Sequence, residues 1–166
     1  FAEGGPIPET FTGERYFSPD HVWVGMCSSQ FGICYNPDVL ARLKLPPPTA
    51  WSDLGDPGYA GALALADPTK SGSVARAFEL LVQSEILRSL DEQPADRNAV
   101  IEAGWANGLR LIQRLSANAR YFTDSASKIP QDVGQGNAAA GMCIDFYGRS
   151  FAEELTTVSG KPRLVW

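Results

Sequence analysis

The run LALADPTKSGSVARAFELL at residues 63–81 constrains the fold more than any other stretch. Its first four residues are uninterrupted apolar, which marks a strand covered on both faces. Asp67-Pro68 breaks that strand, and Thr69, Ser71, Gly72 and Ser73 make a small polar turn. Ala75, Phe78, Leu80 and Leu81 then open an amphipathic helix. A strand running straight into a helix start has two readings. The hydroxyls simply cap the helix, or the unpartnered N–H groups of its first turn seat an anion.

The same alternation recurs along the chain. Residues 1–20, rich in Gly, Pro and Thr, read as an irregular entry segment. Strands are expected at Val22–Cys27 and Gly32–Tyr35, the second ended by Asn36-Pro37, with a short helix over Asp38–Leu43. A proline-rich connection holds one helical turn behind Thr49 as N-cap. Ala62–Ala66 is a buried strand, followed by a helix from Ser73 to about Leu90. A second long helix runs from Pro94 to Leu115, with Val100, Ile101, Trp105, Leu109, Ile112 and Leu115 as its buried face. ARYFT is a strand, a helix starts near Ser125 or Ser127, and AAGMCIDFYG is a buried strand. A last helix covers Arg149–Leu155 and RLVW is a final strand. Strands interleaved with helices of this length predict an α/β fold, a three-layer α/β/α sandwich with a parallel or mixed sheet. The segments 22–27, 62–66 and 140–145 are expected to share that sheet.

Ligands in such folds sit beyond the strand ends. Three ends qualify: Asp67–Ser73, Asp145–Gly148, and the YFTDSAS run with Thr123, Asp124 and Ser125. Charge narrows the partner. The net charge of −5 is spread without a basic stripe, which argues against nucleic acid. No apolar run approaches the roughly 18–20 residues of a membrane helix. Three cysteines match no zinc pattern, and Cys27 and Cys34 read either as a hairpin disulfide or as buried thiols on neighbouring strands.

Four motifs in order carry a resemblance across residues 22–152: the GICYN strand, the PTAWSDLGDPGYAG connection, the DPTKSGS turn and the GNAAAG segment before IDFYG. Together they resemble the extracellular solute-binding proteins of ABC importers, in the group related to ferric-iron, phosphonate and phosphoglycerate binders. The resemblance implies a type II periplasmic-binding-protein fold of two lobes. This chain would supply lobe two with its hinge strands over 21–166. Val22–Val24 would lead in and the C-terminal segment out, with the N-terminal lobe missing. Phe1 is no translation start, so the chain reads as a fragment. The full-length protein is expected to be periplasmic or extracellular, targeted by a lipid or signal peptide, and to work with an ABC permease.

Under that resemblance Thr69, Ser71, Gly72 and Ser73 hold a small anionic solute, a phosphonate, phosphate ester or carboxylate. Gly72 lets the ligand approach the backbone and Lys70 adds charge. Trp23 and Tyr147 stand beside the cleft, with Asp145 at the same strand end. No cofactor is expected. Ferric members carry two adjacent tyrosines where this chain has Phe146-Tyr147, so Tyr147 is a metal ligand only if Fe(III) is the transported solute. His21 lies next to the hinge, alone. An enzyme is disfavoured by a single histidine and by the absence of GxSxG and GxxxxGK[ST] motifs. A sensor or regulatory module on the same fold stays open.

Overall fold

A computed structural model describes residues 8–11, 14–26, 29–90, 96–156 and 160–166. Its centre is β4 (Leu63–Ala66), whose four residues are all fully buried. Burying Leu63 and Leu65 contributes about 1.5–3 kcal/mol each relative to exposure. β4 lies between β5 (Ala119–Thr123) and β6 (Ala140–Ile144), parallel to both, and β3 (Phe31–Tyr35) closes the other side of β6 antiparallel. The order β3-β6-β4-β5 places the C-terminal ends of β4, β5 and β6 at one edge of the sheet. The start of β3 lies there too, since Phe31 pairs with Ile144.

One helical layer is α2 (Gly72–Leu90) packed along α3 (Arg97–Asn118). The opposite layer holds α4 (Lys128–Gly134) and α5 (Asp145–Glu154), which pack on each other and on the sheet. This is the expected three-layer α/β/α sandwich. α2 buries Val74, Ala77, Phe78, Leu81 and Val82, the spacing of one helix face. A small α1 (Pro37–Leu43) is capped by Asn36, whose side-chain oxygen accepts from the Asp38 and Val39 N–H groups at 3.0 and 3.1 Å.

Several expectations need correction. Residues 22–26 do not join the sheet with β4 and β6, and Cys27 lies outside the described residues. The Ser18 hydroxyl accepts from the Val22 and Trp23 N–H groups, and Phe17 bridges to Val24, so this segment spends its hydrogen bonds locally. Its apolar side chains are left largely in solvent: Val22 is 77% and Met26 90% exposed. The entry segment is not wholly irregular, since β1 (Thr10–Phe11) and β2 (Glu14–Arg15) pair antiparallel. RLVW contributes one antiparallel bridge, Val165 to Tyr35, outside β3. Thr49 is no hydroxyl cap. The Asp53 carboxylate instead accepts from Thr49 N–H, Thr49 Oγ1–H and Ala50 N–H ahead of the 3₁₀ turn Trp51–Gly55.

α3 is the expected helix, and its expected face is met only in part: Leu115 is buried and Ile112 packs on the core, while Trp105 and Leu109 are not covered. The helix starts behind Asp96 as N-cap, while Pro94 falls outside the described residues. Trp105 and Leu109 are 53% and 56% exposed; the buried positions are Gly104, Gly108, Leu111, Leu115 and Asn118. A Cβ on Gly104 would lie 2.6 Å from Ile86 Cα, and one on Gly108 2.7 Å from Val82 Cα. The two glycines let α3 press its backbone against α2, a contact that a search for apolar side chains does not find. At the end of α3, the Asn118 amide donates to the Leu54 and Asp56 carbonyls at 2.8 and 2.7 Å, tying helix to connection.

The Cys27–Cys34 pairing lies outside the described residues, while Cys34 and Cys143 are buried free thiols on the neighbouring strands β3 and β6.

Gly108→Ala tests the helix contact. Overpacking costs about 1–3 kcal/mol and outweighs the roughly 1 kcal/mol that alanine gains in helix propensity. Urea unfolding should therefore show a net loss of stability; a gain would mean that the helices do not approach this closely.

Candidate functional site

Three strand ends meet at one edge. β4 gives way to Asp67–Ser71, β5 to Asp124–Ser127, and β6 runs directly into α5. β4 is the middle strand of the three, so its turn is flanked by the other two.

The turn after β4 is closed by the Asp67 carbonyl, which accepts from the Lys70 and Ser71 N–H groups at 3.1 Å each. The first bond of α2 runs from Ala75 N–H to Ser71 C=O at 3.0 Å, which makes Ser71 the capping position. The N–H groups of 72–74 precede that bond and point out of the helix start. The Ser71 and Ser73 hydroxyls lie 3.2 Å apart and bond each other. A Cβ on Gly72 would meet nothing within 4 Å, so this helix start is open to solvent.

Thr69 has a different task. Its hydroxyl and N–H donate to Asp67 Oδ1 at 2.7 and 2.8 Å, and these two bonds, the hydroxyl's foremost, hold the Asp67 carboxyl below the ordinary carboxylate range. Lys70 Nζ reaches across to Asp124 Oδ1 at 2.9 Å, joining the ends of β4 and β5. That bond, with the attraction of the Asp124 charge, raises the ammonium pKa above the usual lysine value. Beyond β5, Thr123 Oγ1 donates to the Ser125 carbonyl at 2.8 Å, and the Ser125 and Ser127 hydroxyls lie 2.9 Å apart.

At the end of β6, Asp145, Phe146 and Tyr147 form the first turn of α5, four residues before the expected helix start at Arg149. The expected strand extends past Ile144 to Phe146 and Tyr147, but the backbone turns at Asp145: its N–H donates to Gln30 C=O at 2.9 Å, and its Oδ1 accepts from Phe146 N–H. Phe146 and Tyr147 pack with ring centres 4.5 Å apart and planes tilted by 53°. Trp23 is 51% exposed, and its backbone bonds to Ser18 in the local turn outside the sheet.

A groove of about 720 Å³ opens beside the end of β5, lined by Arg120, Phe122, Asp124, Ser125, Lys128 and Asp132 among others. Its floor is a fixed network. Tyr121 Oη donates to Asp132 Oδ2 at 2.9 Å and Lys128 Nζ to both Asp132 oxygens at 2.7 and 2.9 Å. Burial, then the bond to Asp132, pushes the Tyr121 phenol up to about 12. Burial would raise the Asp132 carboxyl, but the Lys128 and Tyr121 bonds outweigh it and lower it. Neither this network nor the Lys70–Asp124 bridge was picked out from sequence. The lysine–aspartate spacing of four over 128–132 is the signal that would have found the first. Among the described residues, no group of three or more His, Cys, Asp or Glu is placed to hold a metal ion.

The family model for bacterial extracellular solute-binding proteins matches residues 3–166. The phosphoglycerate transport regulatory protein PgtC of Salmonella typhimurium is 28% identical over 124 residues, which are 75% of this chain and 27% of that protein. The periplasmic binding protein AfuA of Actinobacillus pleuropneumoniae, solved with fructose-6-phosphate bound, superposes with a TM-score of 0.60 at 18% identity over 90% of this chain and 43% of that one. Ferric iron-binding protein A of Mannheimia haemolytica, in an open conformation, gives 0.53 at 15% identity over 81% and 36%. The chain thus spans less than half the length of each, and the two structures share its fold.

Thr69→Val separates the roles within the turn. Losing the hydroxyl should raise the Asp67 pKa toward the ordinary value, read by NMR titration of its carboxyl carbon. Because the folded pKa is depressed, any stability it lends is present above the unfolded pKa and fades as pH falls through the folded one. An unmoved pKa would leave the backbone N–H as the sole holder of Asp67.

Proposed function

Because the chain belongs to the bacterial extracellular solute-binding proteins, we propose that it is one lobe of a two-lobed binding protein and presents the edge at 67–73, 124–127 and 145–147 to a small anionic solute. The single observation that carries this reading is the helix start at Gly72. It begins a long helix, is open, starts behind Ser71 and is centred among three strand ends. N–H groups at 72–74 and the helix dipole favour an oxyanion there, worth about 0.3–1 kcal/mol for the dipole alone at an exposed site.

The surrounding charge refines the solute. Asp67, Asp124 and Asp145 stand at the three strand ends, and Lys70 is held by Asp124. A solute that is anionic throughout would face these carboxylates unfavourably. A solute with an anionic head and hydroxyl or ammonium donors elsewhere satisfies both, so we assign a phosphorylated polyol or hydroxy acid. The names of two similar proteins support this, one a phosphoglycerate transport regulator and one bound to fructose-6-phosphate. Tyr147 offers a ring and a phenol to the same solute. Fe(III) as the solute is the second choice, since the ring beside Tyr147 is Phe146, which has no donor for iron.

In the cell the protein works as a binding component outside the cytoplasmic membrane, handing solute to an ABC permease, without catalysis of its own. The regulatory name of the Salmonella relative favours a second reading, a sensor on the same fold. Deleting the gene distinguishes the two. Lost uptake of labelled solute identifies an importer; normal uptake with lost induction identifies a sensor.

Titration calorimetry of the full-length protein against 3-phosphoglycerate, fructose 6-phosphate, a phosphonate and ferric ion tests the solute class. One of the phosphate esters should bind most tightly. Ser71→Ala should then cost about 1.5–3 kcal/mol, roughly ten- to a hundred-fold in affinity, and Gly72→Val more, because its side chain fills the approach to the N–H groups. Folded variants that bind as the parent does would reduce the turn to a helix cap.

A further inference from the structure

α5 carries all three residues that β6 brings to the site, and it packs on α4, β6 and β3. Gly148 is its one buried residue, and Ile144 at its cap offers no side-chain bond to the first turn. The atoms nearest to where a Gly148 side chain would start all belong to one ring. A Cβ placed on Gly148 would stand 2.5 Å from Trp166 Cε3 and 2.7 Å from Cδ2. The far side of the same indole covers Gly32 in β3, where a Cβ would stand 2.7 Å from Trp166 Cη2. The indole is therefore wedged between a strand and a helix, each contributing a glycine.

Trp166 is itself fixed by the sheet. Tyr35 N–H donates to Val165 C=O and Val165 N–H to Tyr35 C=O, both at 2.9 Å, so residues 165–166 run antiparallel to β3, toward the site edge. The segment entering β3 grips α5 from the other side, through the Gln30 carbonyl on Asp145 N–H. Both chain segments flanking the lobe's core thus bear on one helix.

We propose that Trp166 is a positioning residue for the solute site: wedged on Gly148, it sets the seat of α5 and hence the placement of Asp145 and Tyr147, and it transmits displacement of the 164–166 segment to them. The proposal rests on the reading of the α5 first turn as part of the site. If residues 164–166 lead back to a second lobe, hinge movement and the Tyr147 position are one coordinate, because a packed indole shifts as a unit with the backbone beneath it.

Amide hydrogen exchange on the full-length protein tests the wedge without any solute, so its outcome is separate from that of the solute assignment. In Trp166→Ala, amides 149–154 of α5 should exchange at least tenfold faster while the α2 and α3 amides keep parental rates. Trp166→Phe should restore most of the protection. Gly148→Ala, which drives the indole out, should reproduce the loss, and adding it to Trp166→Ala should add little. In whichever phosphate ester binds the parent, Trp166→Ala should weaken affinity about tenfold at a temperature where the variant is fully folded. Unchanged α5 protection overturns the proposal. So does a loss spread equally over α2 and α3, which would make Trp166 an ordinary part of the global core, and so does additivity of the Gly148 and Trp166 effects.

Discussion

Complete burial of β4 is the constraint on which the rest depends. A four-residue strand covered on both faces and both edges cannot be joined to its neighbours by tight hairpins; parallel pairing with β5 and β6 forces long crossovers through α2, α3 and α4. Parallel strands end at the same edge, so the turns after β4, β5 and β6 assemble there. The site is a by-product of strand direction. The small residues of β4 and β6 serve the same end, since Ala64, Ala66 and Ala140 let helices close on both faces of a thin sheet.

Much of this arrangement was legible in the sequence because it rests on periodicity. The α2 helix itself, the apolar run at 63–66 and the turn at 67–71 follow from local pattern. Of the α2 face read from the sequence, Phe78 and Leu81 are buried, whereas Leu80 is exposed and the stripe is completed by Val74, Ala77 and Val82. What stayed hidden depends on contacts between distant residues. Gly104 and Gly108 carry no hydrophobic signal, yet they decide which face of α3 is buried. Val22, Trp23 and Val24 form a β-branched and aromatic run like a strand, but the Ser18 hydroxyl and Phe17 claim their backbone away from the sheet. IDFYG reads as continuing strand because its helix is seated by Trp166, eighteen residues beyond Gly148. At the site, the hydroxyls and carboxylates were visible as residue types, while the Lys70–Asp124 bridge joins positions 54 apart and needs the β4–β5 pairing to exist.

The site's electrostatics look contradictory until its internal bonds are counted. A helix N-terminus attracts anions, yet three carboxylates surround it. Asp67 is occupied by Thr69 and Asp124 by Lys70, so each presents less bare charge to an incoming solute than a free carboxylate would. These pairs are more than half exposed at Lys70 and Asp124, where an ion pair is worth about 0–1 kcal/mol. Such a bond is cheap to exchange. A solute that offers Asp124 a hydroxyl and takes Lys70 onto its own anion replaces one weak pair with two charge-assisted hydrogen bonds.

On the proposed two-lobed reading, that exchange also gives a reason for half a cleft to bind poorly on its own. The bonds at this edge are formed in water, where each competes with hydration and with the pairs already present. Their strength rises only when a second surface excludes water and lowers the local dielectric. A lobe whose polar groups are mutually satisfied when open, and exchangeable when covered, holds its fold without the solute and commits to it only on closure. Under the role proposed for Trp166, helix α5 is the element through which closure would be felt, because its first turn is joined to the chain segments at Gln30 and Trp166.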